Sequence, residues 1–192
     1  DHMAGFLDVL DAYKVTSVIE PGTTGASAEY KTLEEKIEKE KAIKITALRG
    51  QRIDLGGGAY FIVLFPDREV PGLATNDGSL VGRLVYGNTS IMFTGDAPQN
   101  IEEYLDSLGG KNLHSDVLKV GHHGSRTSTS QEFVGYVSPT YAVISSGKDN
   151  SYGHPHQETL DTLNQFGVQT FRTDISGRIV MESDGETIQI KK

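Results

Sequence analysis

The chain has 192 residues, a length that suits one domain. It contains no cysteine, which excludes disulfide scaffolds, thiolate zinc sites, iron–sulfur clusters and cysteine nucleophiles together. Its formal net charge of -8 argues against broad non-specific wrapping of nucleic acid, and leaves room for a local site where metal ions supply the positive charge.

In chain order, Phe6, Leu7, Val9, Leu10 and Tyr13 predict a short helix over 4–13. Residues 15–19 read as a strand closed by Pro21-Gly22. Residues 26–41 are rich in Glu, Lys and Ala, with Leu33 and Ile37 four apart, and predict a solvated amphipathic helix. Strands are predicted at 43–48, 51–55, 59–65, 80–86 and 89–94, the last two joined by a Gly87-Asn88 turn. The stretch 66–79 is the one long irregular loop, and loops of that length are usually functional or mobile. From residue 96 the pattern alternates: helix 98–108, strand 116–120, helix 129–137, strand 140–145, helix 155–166, strand 168–172. A hairpin, 177–182 with 187–191, turns at Asp184-Gly185. No apolar run approaches the ~20 residues of a membrane-spanning helix, and no basic start followed by an apolar core opens the chain. A strand-rich first half and an alternating second half predict an α/β fold: two sheets with helices on their outer faces, a four-layered αββα sandwich.

Five of the six histidines fall in three short segments, Asp1-His2, His122-His123-Gly124-Ser125 and His154-Pro155-His156. Between the first two, Thr94-Gly95-Asp96 ends an apolar strand. Each segment lies at a strand end or helix start, where α/β sheets put their ligand-binding groups. Imidazole and carboxylate without thiolate are the donors of catalytic zinc, manganese or iron sites. Each segment also has a plain alternative. Asp96 is a possible helix N-cap, the histidine pair an ordinary loop, His154 and His156 first-turn residues beside Pro155, and Asp1-His2 a cloning scar. The joint pattern favours a metal site.

The ordered set Asp-His-x-x-Gly, Thr-Gly-Asp, His-His-Gly-Ser and Asn-x-Tyr-x-His-Pro resembles the metallo-β-lactamase superfamily. Within it, the chain is most similar to the nuclease-like domain of ComEC-type DNA-internalisation competence proteins and their standalone relatives. The matching stretches are Asp1 to Gly5, Asn76 to Val81, Phe93 to Asp96, Leu118 to Ser125, Ser145 to Pro155 and Arg172 to Gly177. The family's first motif is His-x-His-x-Asp-His, of which only Asp1 and His2 are present. The resemblance therefore implies one sandwich domain over 1–192 that lacks its first strands and two ligands of one metal site. The additional mid-chain histidine of many members is also missing, with Asn76-Asp77-Gly78-Ser79 in that region.

The resemblance implies a metal-dependent hydrolase that cleaves phosphodiester bonds, nuclease-like on DNA, through a metal-activated hydroxide. Its cofactors would be two divalent ions, zinc or manganese, bridged by Asp96. Asp1, His2, His122 and His154 would complete the ligands, with His122 favoured over His123. His123 would then protonate the leaving oxygen and Ser125 donate to phosphate, while Asn76, Asn150 and Tyr152 line the cleft. Lys119, Arg126, Lys148 and Arg172 are candidates to grip phosphates. The partner would be DNA or a small phosphodiester, and the protein a monomer. It would be a soluble domain, cytoplasmic if standalone and part of a membrane-associated parent if a competence protein. Two other readings stay open: a hydrolase of a small phosphoester, ester or amide, and a non-catalytic binding module that keeps the fold.

Overall fold

A computed structural model describes residues 2–191, and every predicted helix and strand is present in it. Helix α1 spans Ala4–Ala12, strand β1 Ser17–Glu20, α2 Ala28–Glu40 and β2 Ile43–Thr46. Strands β3 (Arg52–Gly56), β4 (Ala59–Phe65), β5 (Val81–Tyr86) and β6 (Thr89–Phe93) follow. Then come α3 (Gln99–Gly109), β7 (Val117–Lys119), α4 (Gln131–Val137), β8 (Tyr141–Ile144), α5 (Gln157–Gln165) and β9 (Gln169–Arg172). A short α6 (Thr173–Ser176), which the sequence pattern did not announce, precedes β10 (Val180–Ser183) and β11 (Ile188–Lys191).

One sheet carries seven strands in the order β3 to β9. Its first half is antiparallel, since β3 to β6 are linked by reversals; from β6 onward the pairing is parallel, with helices as crossovers. The strand-rich and alternating halves of the sequence thus share one sheet. The other four strands form two separate pairs, parallel β1–β2 and antiparallel β10–β11. The β10–β11 turn abuts the β5–β6 hairpin, where the Asn88 amide donates to the Gly185 carbonyl at 2.6 Å.

The period-2 pattern of the strands explains the core. Met92, Leu118 and Ala142 are paired across β6, β7 and β8, and all three are fully buried. They share one cluster with Ile101 and Leu105 of α3, Phe133, Val134 and Val137 of α4, and Leu163 of α5. Burying each large side chain contributes about 1.5–3 kcal/mol. Helix α4 starts where the Ser130 hydroxyl accepts from the Phe133 amide, and ends at Ser138 in the left-handed region. α2 is capped likewise by Ser27 and buries only Leu33 and Ile37, the two apolar positions one turn apart.

Candidate metal centre

Three of the four parallel strands, β6, β7 and β8, end side by side, and the loops that leave their carboxyl ends hold the chemistry. Asp96 lies just after β6. It is not the cap of α3, whose first residue is Gln99 and whose preceding residue is Pro98. The Asp96 amide donates instead to the Ser79 hydroxyl at 3.2 Å. The tight turn before it uses Gly95 at φ +54, and a Cβ there would meet the Ser79 side chain at 3.2 Å.

After β7 the chain winds through a 3-10 turn, Gly121–Gly124. His122 and His123 both adopt left-handed backbone angles, φ 46 and φ 56. Such geometry is costly for a residue with a side chain, of order 1–3 kcal/mol, and it concentrates at functional sites. A Cβ on Gly124 would lie 2.5 Å from that of Pro155. Only glycine lets the His122-His123 turn dock on the loop after β8, which carries His154.

The docking gathers imidazoles. Ring centres are 5.6 Å apart for His122 and His154, 6.4 Å for His123 and His154, and 5.1 Å for His2 and His123. His2 Nε2 is 3.1 Å from His123 Nε2 and 3.1 Å from Asp96 Oδ1. His123 Nε2 is 3.8 Å from that same oxygen. His2, Asp96 and His123 together offer three ligand atoms within 4.8 Å of one another, a group able to hold a metal ion. Asp96 Oδ1 is buried and has no well-aligned donor. An orphaned carboxylate oxygen facing two imidazole nitrogens is the arrangement a divalent cation satisfies, so these residues fit the metal.

The sequence reading favours His122 as ligand and His123 as acid. The structure instead groups His123 with His2 and Asp96. The reason is orientation: His123 Nδ1 lies 2.8 Å from the Ser145 carbonyl, which can only accept, so the proton sits on Nδ1 and Nε2 carries the lone pair. His122 Nδ1 meets the Thr127 hydroxyl at 3.2 Å. Asp1 lies outside the described residues.

Electrostatics match the geometry. Burial pushes the Asp96 carboxyl up, but contact with His2 and the fields of His2, His122 and His123 outweigh it and hold it below the ordinary carboxylate value. Burial, helped by His156, His122 and His123 and opposed by Asp96, lowers His154 and so favours the neutral form that a ligand needs. Lys119, between Phe93 and Val143 on the sheet, is lowered by burial and supported by Asp96. Its ammonium donates to the Val120 carbonyl at 3.2 Å.

A cavity of about 640 Å³ opens over the cluster, lined by Asp96, His122, His123, His154, Asn76, Asn150 and Tyr152 together with residues 145–147. Within it Asn150 is engaged by its own loop: its amide donates to the Gly147 and His154 carbonyls and its carbonyl accepts from the His154 amide. Ser125 does not line the cavity. It is 4% exposed, and its hydroxyl lies 2.9 Å from that of Thr127, so it braces the turn that presents the histidines. His156 accepts from the Arg126 amide through Nδ1 and sets its ring against His154 at 4.9 Å. Helix α5 starts only after it, at Gln157. Arg172 forms a two-pronged ion pair with Asp174, and Arg126 lies 3.9 Å from Glu158. Lys148 stays exposed on the loop after β8. Sequence reasoning missed the roles of Thr127 and the Ser145 carbonyl; the one signal for Ser145 was its position directly after β8.

No helix among the described residues is long and apolar enough to cross a membrane. Among its relatives, ComE operon protein 3 of Bacillus subtilis is 35% identical over 180 residues, 93% of this chain and 23% of that protein. Competence protein ComA of Neisseria gonorrhoeae is 42% identical over 122 residues, 64% of this chain and 18% of that protein. Recombination protein 2 of Haemophilus influenzae is 31% identical over 192 residues, 100% of this chain and 22% of that protein. The chain thus spans about a fifth of the length of these curated relatives. The family model described as Metallo-beta-lactamase superfamily matches residues 1–148. With its sheet, its loop-end histidines and these relatives, the chain belongs to the metallo-β-lactamase superfamily, in the branch that includes the competence proteins.

Proposed function

We propose that this chain is the catalytic unit of a metal-dependent hydrolase that cleaves phosphodiester bonds in DNA. The observation that carries the reading is the convergence of His2 Nε2, His123 Nε2 and the orphaned Asp96 Oδ1 beneath an open cavity. His2, His123 and Asp96 would hold one ion. His122 and His154, together with Asp96 and Asp1, would be the candidates to hold a second, zinc or manganese. When bound, such ions supply positive charge to phosphate oxygens and acidify water.

The protein's own groups do the rest. The Ser145 carbonyl fixes the His123 tautomer. The strained His122-His123 turn, braced by Ser125 and Thr127, fixes where the rings point. Asn150 closes the His154 loop, and Asn76 and Tyr152 offer the polar and aromatic walls against which a substrate is oriented. The name of one relative refers to competence, and that of another to recombination. They support DNA as the substrate. The net charge of -8 favours a second reading, a small phosphoester, because an acidic surface repels a long polyanion.

One assay separates the two. The full-length protein, loaded with manganese or zinc, is given single-stranded DNA and a small chromogenic phosphodiester. The expected result is cleavage of the DNA that a chelator abolishes. Turnover of the small ester alone would leave the second reading, and no phosphodiester turnover by metal-loaded protein would overturn both.

A further inference from the structure

Tyr152 is the most exposed large apolar side chain among the described residues, at 77%. It is nevertheless not loose. Its ring lies nearly parallel to that of His154, 22° between planes and 5.7 Å between centres. One aromatic face is therefore held and the other is presented to solvent at the rim of the cavity. His154 in turn stacks toward His123, 21° and 6.4 Å, so the exposed ring stands two ring spacings from the metal-binding group. Exposing a large aromatic ring is unfavourable, and an ordered exposed ring beside a catalytic cavity is the form of a stacking platform.

We propose, on the basis of the phosphodiesterase reading above, that the free face of Tyr152 stacks an unpaired nucleobase next to the scissile phosphate and so selects single-stranded over duplex nucleic acid. Asp96 is only 15% exposed, so a phosphate must enter the cavity to reach it. A cavity of about 640 Å³ is of the size that takes a small ligand, far short of a duplex. Inside a duplex both faces of a base are already stacked, leaving none for the tyrosine; an unpaired strand supplies them. Lys148, exposed on the same loop, is set to meet a neighbouring phosphate.

The test measures binding in the presence of a chelator, so that it does not depend on turnover. Wild-type full-length protein and the variants Tyr152→Ala, Tyr152→Phe and Tyr152→Trp are titrated with a short single-stranded oligonucleotide carrying fluorescent 2-aminopurine. The comparison probes are the same length of abasic deoxyribose phosphate and the matched duplex. Loss of one base–aromatic stack predicts roughly tenfold to a hundredfold weaker binding of the base-bearing strand by Tyr152→Ala, with little change for the abasic strand. Tyr152→Phe and Tyr152→Trp retain the binding and the fluorescence quenching. Equal weakening of base-bearing and abasic strands, no weakening at all, or duplex bound as tightly as single strand by the wild type overturns the proposal. Failure of the catalytic reading is a separate outcome: base-dependent binding persists while metal-loaded protein hydrolyses no phosphodiester.

Discussion

Asp96 and Asp106 are two carboxylates with oxygens shut off from water and lacking a hydrogen-bond donor, yet they hold protons very differently. Asp96 faces His2, His122 and His123, which override its burial and keep it below the ordinary carboxylate value. Asp106, on α3, faces its own kind. Burial first, then Glu132 of α4 and Glu102 and Glu103 of its own helix, push it up to about 7. The depth of burial does not decide between them; the sign of the neighbours does. One site favours the anion that a cation would meet, and the other is a carboxyl whose proton is released only near neutral pH. Glu102 shows a third outcome. Burial raises it too, but the amides of Thr129 and Ser130 donate to its two oxygens at 2.6 and 2.8 Å, so its charge ties α3 to the start of α4.

Substitutions sharpen this contrast. Asp96→Asn removes the anion while keeping the shape. It is expected to lower phosphodiester hydrolysis by at least about a hundredfold, the scale of losing one electrostatic contact to the transition state. The metal-free folded state should be modestly weakened as well, since the histidines' contact with the carboxylate outweighs its desolvation, and thermal unfolding of the metal-free protein checks that half. Glu102→Gln sits between. It exchanges two charge-assisted bonds for one neutral acceptor and an amide facing a backbone donor, for a loss of about 1–3 kcal/mol in denaturant unfolding. An unchanged midpoint would show that the α3–α4 link is not held by this carboxylate.

Asp106→Asn has the smallest effect and the opposite sign. The folded-state value is raised above the ordinary 3.8, so the native state binds the proton more tightly than the unfolded chain. The stability this contributes is complete below pH 4, is lost as pH rises through about 7, and falls no further above that. The asparagine cannot ionise. At pH 8 it should be more stable than wild type by on the order of 1 kcal/mol, allowing for solvent screening, and its stability should be flatter between pH 4 and 7. An unaltered pH slope would mean that Asp106 is not the group that titrates there.

Much of the site was readable from residues alone, because loop ends after apolar strands announce themselves. Asp96, His122, His123 and His154 are four residues in three such loops, and the structure brings all of them to one cavity. The order of strands and helices was readable for the same reason. Pairing was not. Periodicity gives a strand its faces but not its neighbour, so the joining of β6 to β7 across the change of pattern, and the separate β1–β2 and β10–β11 pairs, required three dimensions. Which histidine of the pair joins His2 was also hidden. It depends on the Ser145 carbonyl, 22 residues away, choosing the tautomer of His123. The burial of Glu102 ran against the ordinary preference of glutamate for water, and only the two amides of a distant helix start explain it.

The central claim is that imidazoles and a carboxylate from distant segments make one cation site. Equilibrium dialysis of the full-length protein against manganese or zinc, run in parallel with Asp96→Asn and His123→Ala, tests it directly. The account predicts bound divalent ions, as many as two per chain, and at least about tenfold weaker binding in each variant. Wild-type protein that retains no ion, or variants that retain as much as wild type, would contradict it.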